Sequence, residues 1–368
     1  MSRMWFQRWR FTAGSVAVVL ACTSLAVATC TPQKVAMTVR DAYELRMAGH
    51  ADSAMAGLQS LVATDSTNAA AWYEMARTEH HIGLGNPQEL FDRLERVDRA
   101  VEMAALRDPQ NVTYRFYKGY VKSVLAYASL MRQQPDARDR VNAAVSALES
   151  LVSLNPDYVE PMLFLVELLS VPPGMGGDSA KADAYAQKLE ALDGVLGAKA
   201  REIHLADGVD KLAYWQAVLA AHEGNAEVLE QLGKACLYRN DIEQGTTYIE
   251  DALTADPKKQ TLLLDLARYH MMRARSDEQA RGAALDIAAG FVTRYLSSSP
   301  IPPLRAYALG LSAMIESGKD NRDGVEEYRR QAAAIDPHFS KAFGIPPQVL
   351  FIAPDEVPHY HSYFFRPL

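Results

Sequence analysis

The chain has 368 residues, 49% of them hydrophobic, which is enough to form the core of two or three ordinary domains or of one repeat structure. Its net charge is −7, and without Arg3, Arg8 and Arg10 of the amino-terminal segment it is −10 (35 basic against 45 acidic residues). Nucleic-acid binding relies on an excess of Lys and Arg, so this balance argues against nucleic acid as the main partner. Three cysteines argue against a disulfide scaffold.

The first 30 residues have the pattern of an export signal. A basic start is followed by a mostly apolar run of 18 residues (11–28), whose last three residues, Ala-Val-Ala, suit a signal peptidase. Residues 18–22 (Val-Val-Leu-Ala-Cys) also resemble a bacterial lipobox, in which Cys22 is the lipidation site, and Cys30 is a poorer candidate. The run is also just long enough to remain as a membrane anchor. We therefore expect an exported protein, periplasmic or membrane-tethered, with residues 1–30 as signal peptide, lipoprotein anchor or membrane anchor.

From Thr38 onward, apolar residues recur at helical spacing in blocks separated by polar turns or by Asp-Pro and Asn-Pro. Four helix pairs are predicted between residues 38 and 190, and a Pro- and Gly-rich loop (residues 171–178) interrupts the fourth. Residues 199–222 are expected to form a divergent pair. One face of that pair carries Leu212, Trp215, Val218 and Leu219.

The most regular stretch, residues 226–257, is predicted to be two helices joined by a short turn. Its apolar positions are Leu229, Leu232, Gly233, Cys236, Gly245, Ile249 and Ala252, and Pro257 closes it. Small residues leave room where one helix crosses the other, and the large ones fill the seam between neighbouring pairs. The stretch resembles a tetratricopeptide repeat (TPR), an antiparallel helix pair that recurs about every 34 residues. Trp72, Met75 and Ala76 of the second pair match the Trp, Leu and Gly positions of that family.

Two further predicted pairs cover residues 263–299 and 306–337, which makes eight pairs when the divergent one is counted. A single pair cannot bury its apolar face alone, so the resemblance implies a stack of pairs. The expected fold is all-α, a TPR-like right-handed α-solenoid of about seven to eight helix pairs over residues 38–337. Cys236 is expected to be a small core residue.

The composition changes in residues 338–368. Five prolines between residues 346 and 367 exclude a regular helix, and the many aromatic residues argue against free disorder. This irregular tail is expected to lie extended and packed on the solenoid, against the last helices or within its groove.

Sequence motifs of catalysis are missing. The chain contains no His-Glu-x-x-His, Gly-x-Ser-x-Gly or Cys-x-x-Cys, and the loop at residues 171–178 lacks the Gly-Lys-Ser/Thr ending of a P-loop. Adjacent histidines, as in His80-His81, point in different directions on a helix and suit a shared metal poorly. Acidic residues on solenoid helices usually form a solvated face. We therefore expect no catalytic residues, metal or cofactor, and no enzyme activity.

In TPR proteins the first helices of successive pairs line a concave groove, and the resemblance implies a partner-binding surface there. The candidate residues are Tyr73, Arg77, His80, Phe116, Tyr120, Glu230, Lys234, Arg268 and Met271. Aromatic, Met and Arg side chains are typical of binding surfaces, and the cations Arg77, Lys234 and Arg268 would suit an acidic segment. The alternative is that these residues pack against neighbouring pairs or under the tail.

The predicted function is a non-catalytic scaffold or adaptor of the bacterial cell envelope that binds a protein or peptide segment in its groove. Contact with the membrane is expected only through the amino-terminal segment. The alternative is a TPR lipoprotein that accompanies a solute transporter, such as a tripartite ATP-independent periplasmic transporter, and holds a small ligand. An enclosed apolar cavity would favour the alternative, and an open groove would favour the scaffold.

Overall fold

The computed structural model describes residues 37–205, 208–341 and 346–353. Within these ranges the chain forms 16 α-helices and no strand. The helices are α1 (Val39–Met47), α2 (Ala51–Thr64), α3 (Ala69–Leu84), α4 (Leu90–Arg107), α5 (Val112–Met131), α6 (Ala137–Leu154), α7 (Glu160–Leu169), α8 (Ser179–Leu192), α9 (Gly194–Ile203), α10 (Lys211–Ala221), α11 (Ala226–Tyr238), α12 (Ile242–Ala255), α13 (Leu262–Ser276), α14 (Arg281–Ser297), α15 (Pro302–Gly318) and α16 (Arg322–Ile335). Short 3₁₀ turns occur at Pro173–Met175, Phe339–Lys341 and Gln348–Leu350.

Side-chain caps fix where many of these helices begin. The side chains of Asn68, Asn111 and Asn225 accept hydrogen bonds from backbone N–H groups in the first turns of α3, α5 and α11. Asp178 does the same for α8 and so ends the Gly-rich loop that precedes this helix. These bonds satisfy backbone donors that have no partner within the helix.

Seven regular helix pairs account for most of the chain. Each of α1/α2, α3/α4, α5/α6, α7/α8, α11/α12, α13/α14 and α15/α16 packs as an adjacent pair. The second helix of a pair packs on the first helix of the next one, as α4 does on α5 and α14 on α15. The described chain is therefore an all-helical, TPR-like α-solenoid.

The predicted divergent pair is α9 and α10, which contact each other only sparsely. Helix α9 packs mainly on α8, and α10 packs on α11. Trp215 of α10 is 1% exposed and lies in a small core with Val195 and Ala198 of α9 and with Val228 and Leu232 of α11. The Trp215 side chain therefore packs between α9 and α11.

Glycines mark the crossing of α11 and α12, as the sequence pattern indicates. A Cβ atom on Gly233 would lie 2.7 Å from Ile249 Cδ1, and one on Gly245 would lie 2.8 Å from Leu237 Cγ. Neither distance leaves room for a methyl group. The two helices approach this closely because both positions lack a side chain.

The last helix pair reaches the first two pairs. His81 Nε2 of α3 lies 2.8 Å from the Asp336 carboxylate at the end of α16, and His338 Nε2 lies 3.0 Å from Asp52 of α2. The turn at Phe339–Lys341 packs on α15, α16 and α3. Residues far apart in the sequence therefore belong to one packed body.

The described part of the tail contacts both ends of the solenoid. Phe339, Val349 and Leu350 are fully buried in the main core, and the turn at Gln348–Leu350 packs on α3. The boundary of the predicted tail at residue 338 stays a prediction, and residues 354–368 lie outside the described residues. The predicted signal segment, residues 1–30 with Cys22 and Cys30, also lies outside them. Within the described ranges, none of the helices has both the length and the apolar character that crossing a bilayer requires.

Candidate partner-binding groove

First helices of successive pairs lie side by side in this fold. Direct contacts join α1 to α3, α5 to α7 and α13 to α15. All nine predicted groove residues lie on these first helices, on α3, α5, α11 and α13. The surface that the first helices share is the candidate groove.

Most of the predicted groove residues are buried. The exposed fraction is 9% or less for Tyr73, Arg77, His80, Phe116, Tyr120, Glu230 and Met271. Lys234 and Arg268 are partly exposed. The accessible part of the predicted site is thus on α11 and α13, and the role of these residues in partner binding stays a prediction.

A buried ion triad connects α1 and α3. Glu74 Oε1 accepts a hydrogen bond from Arg46 Nε at 2.7 Å, and Oε2 accepts bonds from Nε (2.9 Å) and Nη2 of Arg77. All three side chains are 0% exposed. Burial by itself raises the pKa of Glu74, but the two guanidinium groups outweigh it and hold this pKa below its ordinary value. The triad corrects the expectation that acidic residues on these helices are solvated, and Glu160, Glu227 and Glu230 are further exceptions.

The same two arginines bind the backbone of the C-terminal segment. Arg46 Nη1 donates to the carbonyl oxygen of Leu350 at 2.6 Å, and Arg77 Nη1 donates to that of Ile352 at 2.7 Å. The Tyr43 hydroxyl donates to the carbonyl oxygen of Phe351 between them, at 3.1 Å. Three side chains thus bind three successive carbonyl groups. These three bonds are made to the main chain, while the Leu350 side chain is buried in the core.

Sequence reasoning missed three of these residues, Tyr43, Arg46 and Glu74. Arg46 and Glu74 are charged residues on amphipathic helices, where hydrophobic periodicity places them in solvent by default. The position of Arg46 in the sequence could have indicated its burial. It lies four residues after Ala42, and residues four apart share one face of a helix, here the buried face of α1.

Next to the triad, an aromatic cluster spans α3, α5 and α7. The rings of Tyr117 and Phe164 pack around Tyr120, and Nδ1 of His80 lies 3.0 Å from the Tyr117 hydroxyl. Burial, followed by the nearby charges of His81 and Arg46, lowers the pKa of His80 to about 3. His80 is therefore neutral at ordinary pH, and its buried ring bonds to Tyr117 and stacks on Tyr117 and Tyr120.

A second charged cluster joins α9, α11, α13 and the loop between α12 and α13. Glu227 pairs with Lys199 and with Lys259, whose Nζ is 2.6 Å from Oε2, and Lys259 is also 2.7 Å from Glu230. Lys234 Nζ lies 2.6 Å from Glu230 Oε1 with 30% of its side chain exposed.

Two residues of α13 extend this cluster. Arg268 Nη1 donates to the Tyr307 hydroxyl of α15 at 2.8 Å. Burial raises the pKa of Asp265 to about 6, although Lys234 acts in the opposite direction. The cluster thus brings together the cations Lys199, Lys234, Lys259 and Arg268 and the carboxylates Glu227, Glu230 and Asp265.

The described residues contain no group of three His, Cys, Asp or Glu side chains that could hold a metal ion. His80 and His81 point to different partners, Tyr117 and Asp336. A cavity of about 560 Å³ lies between α13, α14 and α15, and it is lined by Met271 and Met314 together with the charged residues Arg275, Glu278 and Arg281.

No family model matches the sequence, and no curated protein matches it. Solved structures do match. MamA matches with 16% sequence identity and a TM-score of 0.31, over 61% of this chain and 97% of that chain. Human IFIT1, as a dimer with PPP-AAAA, matches with 16% identity and a TM-score of 0.33, over 82% of this chain and 91% of that chain. Yeast Tom70 matches with 13% identity and a TM-score of 0.35, over 80% of this chain and 68% of that chain. Likeness at this level concerns the fold alone.

Proposed function

We propose that the protein is a non-catalytic scaffold that binds a segment of a partner protein along its first helices. The observation that carries the proposal is the capture of three successive carbonyl groups by Tyr43, Arg46 and Arg77. The first-helix surface therefore already binds a polypeptide backbone, in this case that of the chain itself. A partner segment would use the same kind of recognition.

The accessible cations indicate where such a segment would bind. Lys234 of α11 and Lys259 of the loop before α13 have 30% and 21% of their side chains exposed, in a protein whose net charge is −7. Arg268 is partly exposed on the next first helix. A segment with one or two carboxylates would gain charge-assisted hydrogen bonds there.

The proposed setting is the bacterial cell envelope. It rests on the amino-terminal sequence, whose basic start, apolar run and Ala-Val-Ala end fit an export signal. Lipidation at Cys22 or Cys30 would tether the protein to a membrane, and cleavage after residue 28 would release it into the periplasm.

The alternative role beside a solute transporter requires an enclosed apolar cavity. The cavity between α13, α14 and α15 has the charged residues Arg275, Glu278 and Arg281 in its lining, so it does not favour this role. The scaffold is therefore the function that we place first.

Affinity capture tests the proposal. The full chain, the double variant Lys234→Glu/Arg268→Glu and a control variant Lys181→Glu are used to capture proteins from the native host after crosslinking. Lys181 is a matched control because it is an exposed lysine, 54% accessible, on the second helix α8. We expect a discrete protein whose purified form binds the full chain and the control equally and binds the double variant at least tenfold more weakly. A partner that is indifferent to the double change, or none at all, would contradict the proposal.

A further inference from the structure

A cavity lies beside the end of the first helix α13, between α13, α14 and α15. Its volume of about 560 Å³ falls within the range of about 300–1,000 Å³ that is usual for clefts that hold a ligand. The apolar part of its lining comes from Met271 and Ala274 of α13, Leu285 of α14 and Met314 of α15. Methionine side chains adapt their shape to different apolar partners, so this lining suits a large apolar group.

Three charged side chains belong to the same lining, those of Arg275, Glu278 and Arg281. Nε of Arg281 donates a hydrogen bond to the carbonyl oxygen of Gly318 at 3.1 Å, which holds this guanidinium group at the end of α15. Among the described residues, the side chains of Arg275 and Glu278 have no hydrogen-bond or ion-pair partner. A ligand can therefore bind these two groups without breaking a contact within the protein.

Solvent reaches this cavity. The three charged residues and Ser317 of its lining are exposed, and Met314 is 42% exposed. Met272 of α13, which is 47% exposed, lies three residues before Arg275 and so on the same face of the helix. Exposed Met and Arg side chains in close proximity are typical of surfaces that bind other proteins.

The cavity continues the surface that is proposed above to bind a partner segment. Arg268, Met271 and Arg275 are three and four residues apart, so they lie in a row along one face of α13. Arg268 is part of the proposed binding surface, and Met271 and Arg275 line the cavity. A segment that lies along α13 from Arg268 towards the end of the helix therefore passes over the cavity.

We propose that the cavity holds one large apolar side chain of the partner segment, and that Arg275 recognises an acidic side chain close to it in the segment. The inference rests on the scaffold function proposed above and names the chemistry of the bound segment. A lining with two guanidinium groups and one carboxylate favours an acidic neighbour over a basic one. Glu278 then accepts a hydrogen bond from a backbone N–H group of the segment.

The spacing of these two residues in the segment follows from helix geometry. Met271 and Arg275 are four residues apart on α13, which is about 6 Å along the helix axis. An extended segment covers this distance in about two residues, since each residue spans about 3.3 Å. The acidic residue is therefore expected one or two positions from the apolar one.

Selection from a random library tests this chemistry. The probe is a phage-displayed library of short random segments, held between Gly-Ser flanks so that no free chain end is presented, and the target is the full chain. We expect enrichment of segments that contain Leu, Met or Phe with Asp or Glu one or two positions away. Enrichment of segments without this pattern, or no enrichment, would overturn the proposal.

Two pairs of matched variants locate the site. An enriched segment is synthesised with a fluorescent label, and its binding is followed by fluorescence anisotropy. Ser317→Trp, which fills the cavity, and Arg275→Glu, which reverses a charge of its lining, should each weaken binding at least tenfold. The controls Ser60→Trp and Arg99→Glu change exposed residues of the second helices α2 and α4 and should leave binding unchanged. Equal binding to Ser317→Trp and to the unaltered chain would place the segment elsewhere and overturn the proposal.

Charge exchange in the segment decides the matter even if a variant does not fold. The same segment with Lys in place of its acidic residue should bind the unaltered chain at least tenfold more weakly. It should bind Arg275→Glu more tightly than the unaltered chain, because the lysine then meets a carboxylate. Undiminished binding of the exchanged segment to the unaltered chain would overturn the recognition by Arg275.

A partner captured from the host separates this inference from the scaffold function. If both hold, the partner binds Ser317→Trp and Lys234→Glu/Arg268→Glu more weakly than the unaltered chain. A partner that is weakened by the double change alone would remove the role of the cavity and leave the scaffold intact. Segments that bind at the cavity without any captured partner would contradict the scaffold function and support only the recognition chemistry of the cavity.

Discussion

Arg77 Nη1 lies 2.7 Å from the carbonyl oxygen of Ile352, a residue 275 positions further along the chain. The same arginine shares Glu74 with Arg46, which binds the carbonyl oxygen of Leu350. One buried triad therefore both joins the first two helix pairs and holds the C-terminal segment on them. The stability of the two ends of the solenoid is consequently coupled.

Removal of the C-terminal segment should destabilise the protein. A chain that stops at residue 345 loses Val349 and Leu350, both fully buried, and the carbonyl groups that Arg46 and Arg77 bind. Each buried aliphatic side chain contributes about 1.5–3 kcal/mol, and each hydrogen bond to a charged group about 1.5–3 kcal/mol. We expect a loss of at least about 4 kcal/mol in the free energy of unfolding, measured by urea denaturation. The chain that stops at Ala353 is the control, and equal urea midpoints for the two would refute the coupling.

Neutralising Glu74, the carboxylate of the triad, should lower the free energy of unfolding. Glu74→Gln leaves two buried guanidinium groups without their counter-charge, and breaking a buried pair in this way costs about 3–5 kcal/mol. The matched control is Glu44→Gln, because Glu44 pairs with Arg40 in an exposed contact (60% and 61% accessible). This control should change the free energy of unfolding by less than about 1 kcal/mol. Similar effects of the two substitutions would show that the triad is not a structural centre.

Two glycine-to-alanine substitutions should change the stability of the protein in opposite directions. Gly245→Ala adds a methyl group 2.8 Å from Leu237 Cγ and should destabilise the protein by about 1–3 kcal/mol. Gly290→Ala lies in α14 with no atom within 4 Å of the new Cβ, so the better helix propensity of Ala should stabilise it by about 0.5–1 kcal/mol. Thermal unfolding of both variants measures the difference. Stabilisation by Gly245→Ala would mean that α11 and α12 do not cross at this glycine.

Acid should weaken the fold through two buried histidines. The pKa of His80 is lowered to about 3 and that of His81 to about 4, mainly by burial, although Asp336 partly opposes the shift at His81. Unfolded histidine has a pKa near 6.5, so below that pH the unfolded chain binds more protons than the folded chain. The contribution of each histidine to the free energy of unfolding is complete above about pH 6.5. It is lost as the pH falls towards 4 for His81 and towards 3 for His80. Lowering the pH from 7 to 5 should therefore reduce the free energy of unfolding by about 2 kcal/mol for each histidine.

Asp265 should change the pH dependence of stability in the direction opposite to the two histidines. Burial raises its pKa from 3.8 to about 6, so the folded chain binds more protons in this interval and the contribution is lost as the pH rises through 6. The difference in the free energy of unfolding between pH 7 and pH 5 should therefore shrink in His80→Gln and grow in Asp265→Asn. Urea denaturation at the two pH values measures it. A change of the same sign in both variants would contradict these assignments.

Local patterns were sufficient to predict the repeat architecture. Gly233 and Gly245 mark a real helix crossing, and the breaks near residues 65–68, 108–109 and 155–156 separate helices as expected. These features follow from interactions within about 35 residues, where spacing and helix termini are informative.

The candidate site was harder to predict because its key contacts are not local. Tyr43 and Phe351 are 308 positions apart, and a spacing pattern carries no information on such a pair. Arg46 and Glu74 look like solvated residues in the sequence, and their burial is possible only because each neutralises the other. Lys234 and Arg268 lie on the first helices α11 and α13, where the repeat match places them, and their role in partner binding stays a prediction.

Site-specific photo-crosslinking in the full chain is the most direct test of the claim that the first-helix groove binds a polypeptide segment of a partner. A photoreactive residue replaces Lys234 on the first-helix side or Lys181 on the second helix α8, and crosslinked peptides are identified by mass spectrometry after irradiation in the native host. The account predicts that position 234, and not position 181, crosslinks to one contiguous segment of one protein. Crosslinks from position 181 but not from position 234, or the same mixture of proteins from both, would contradict it.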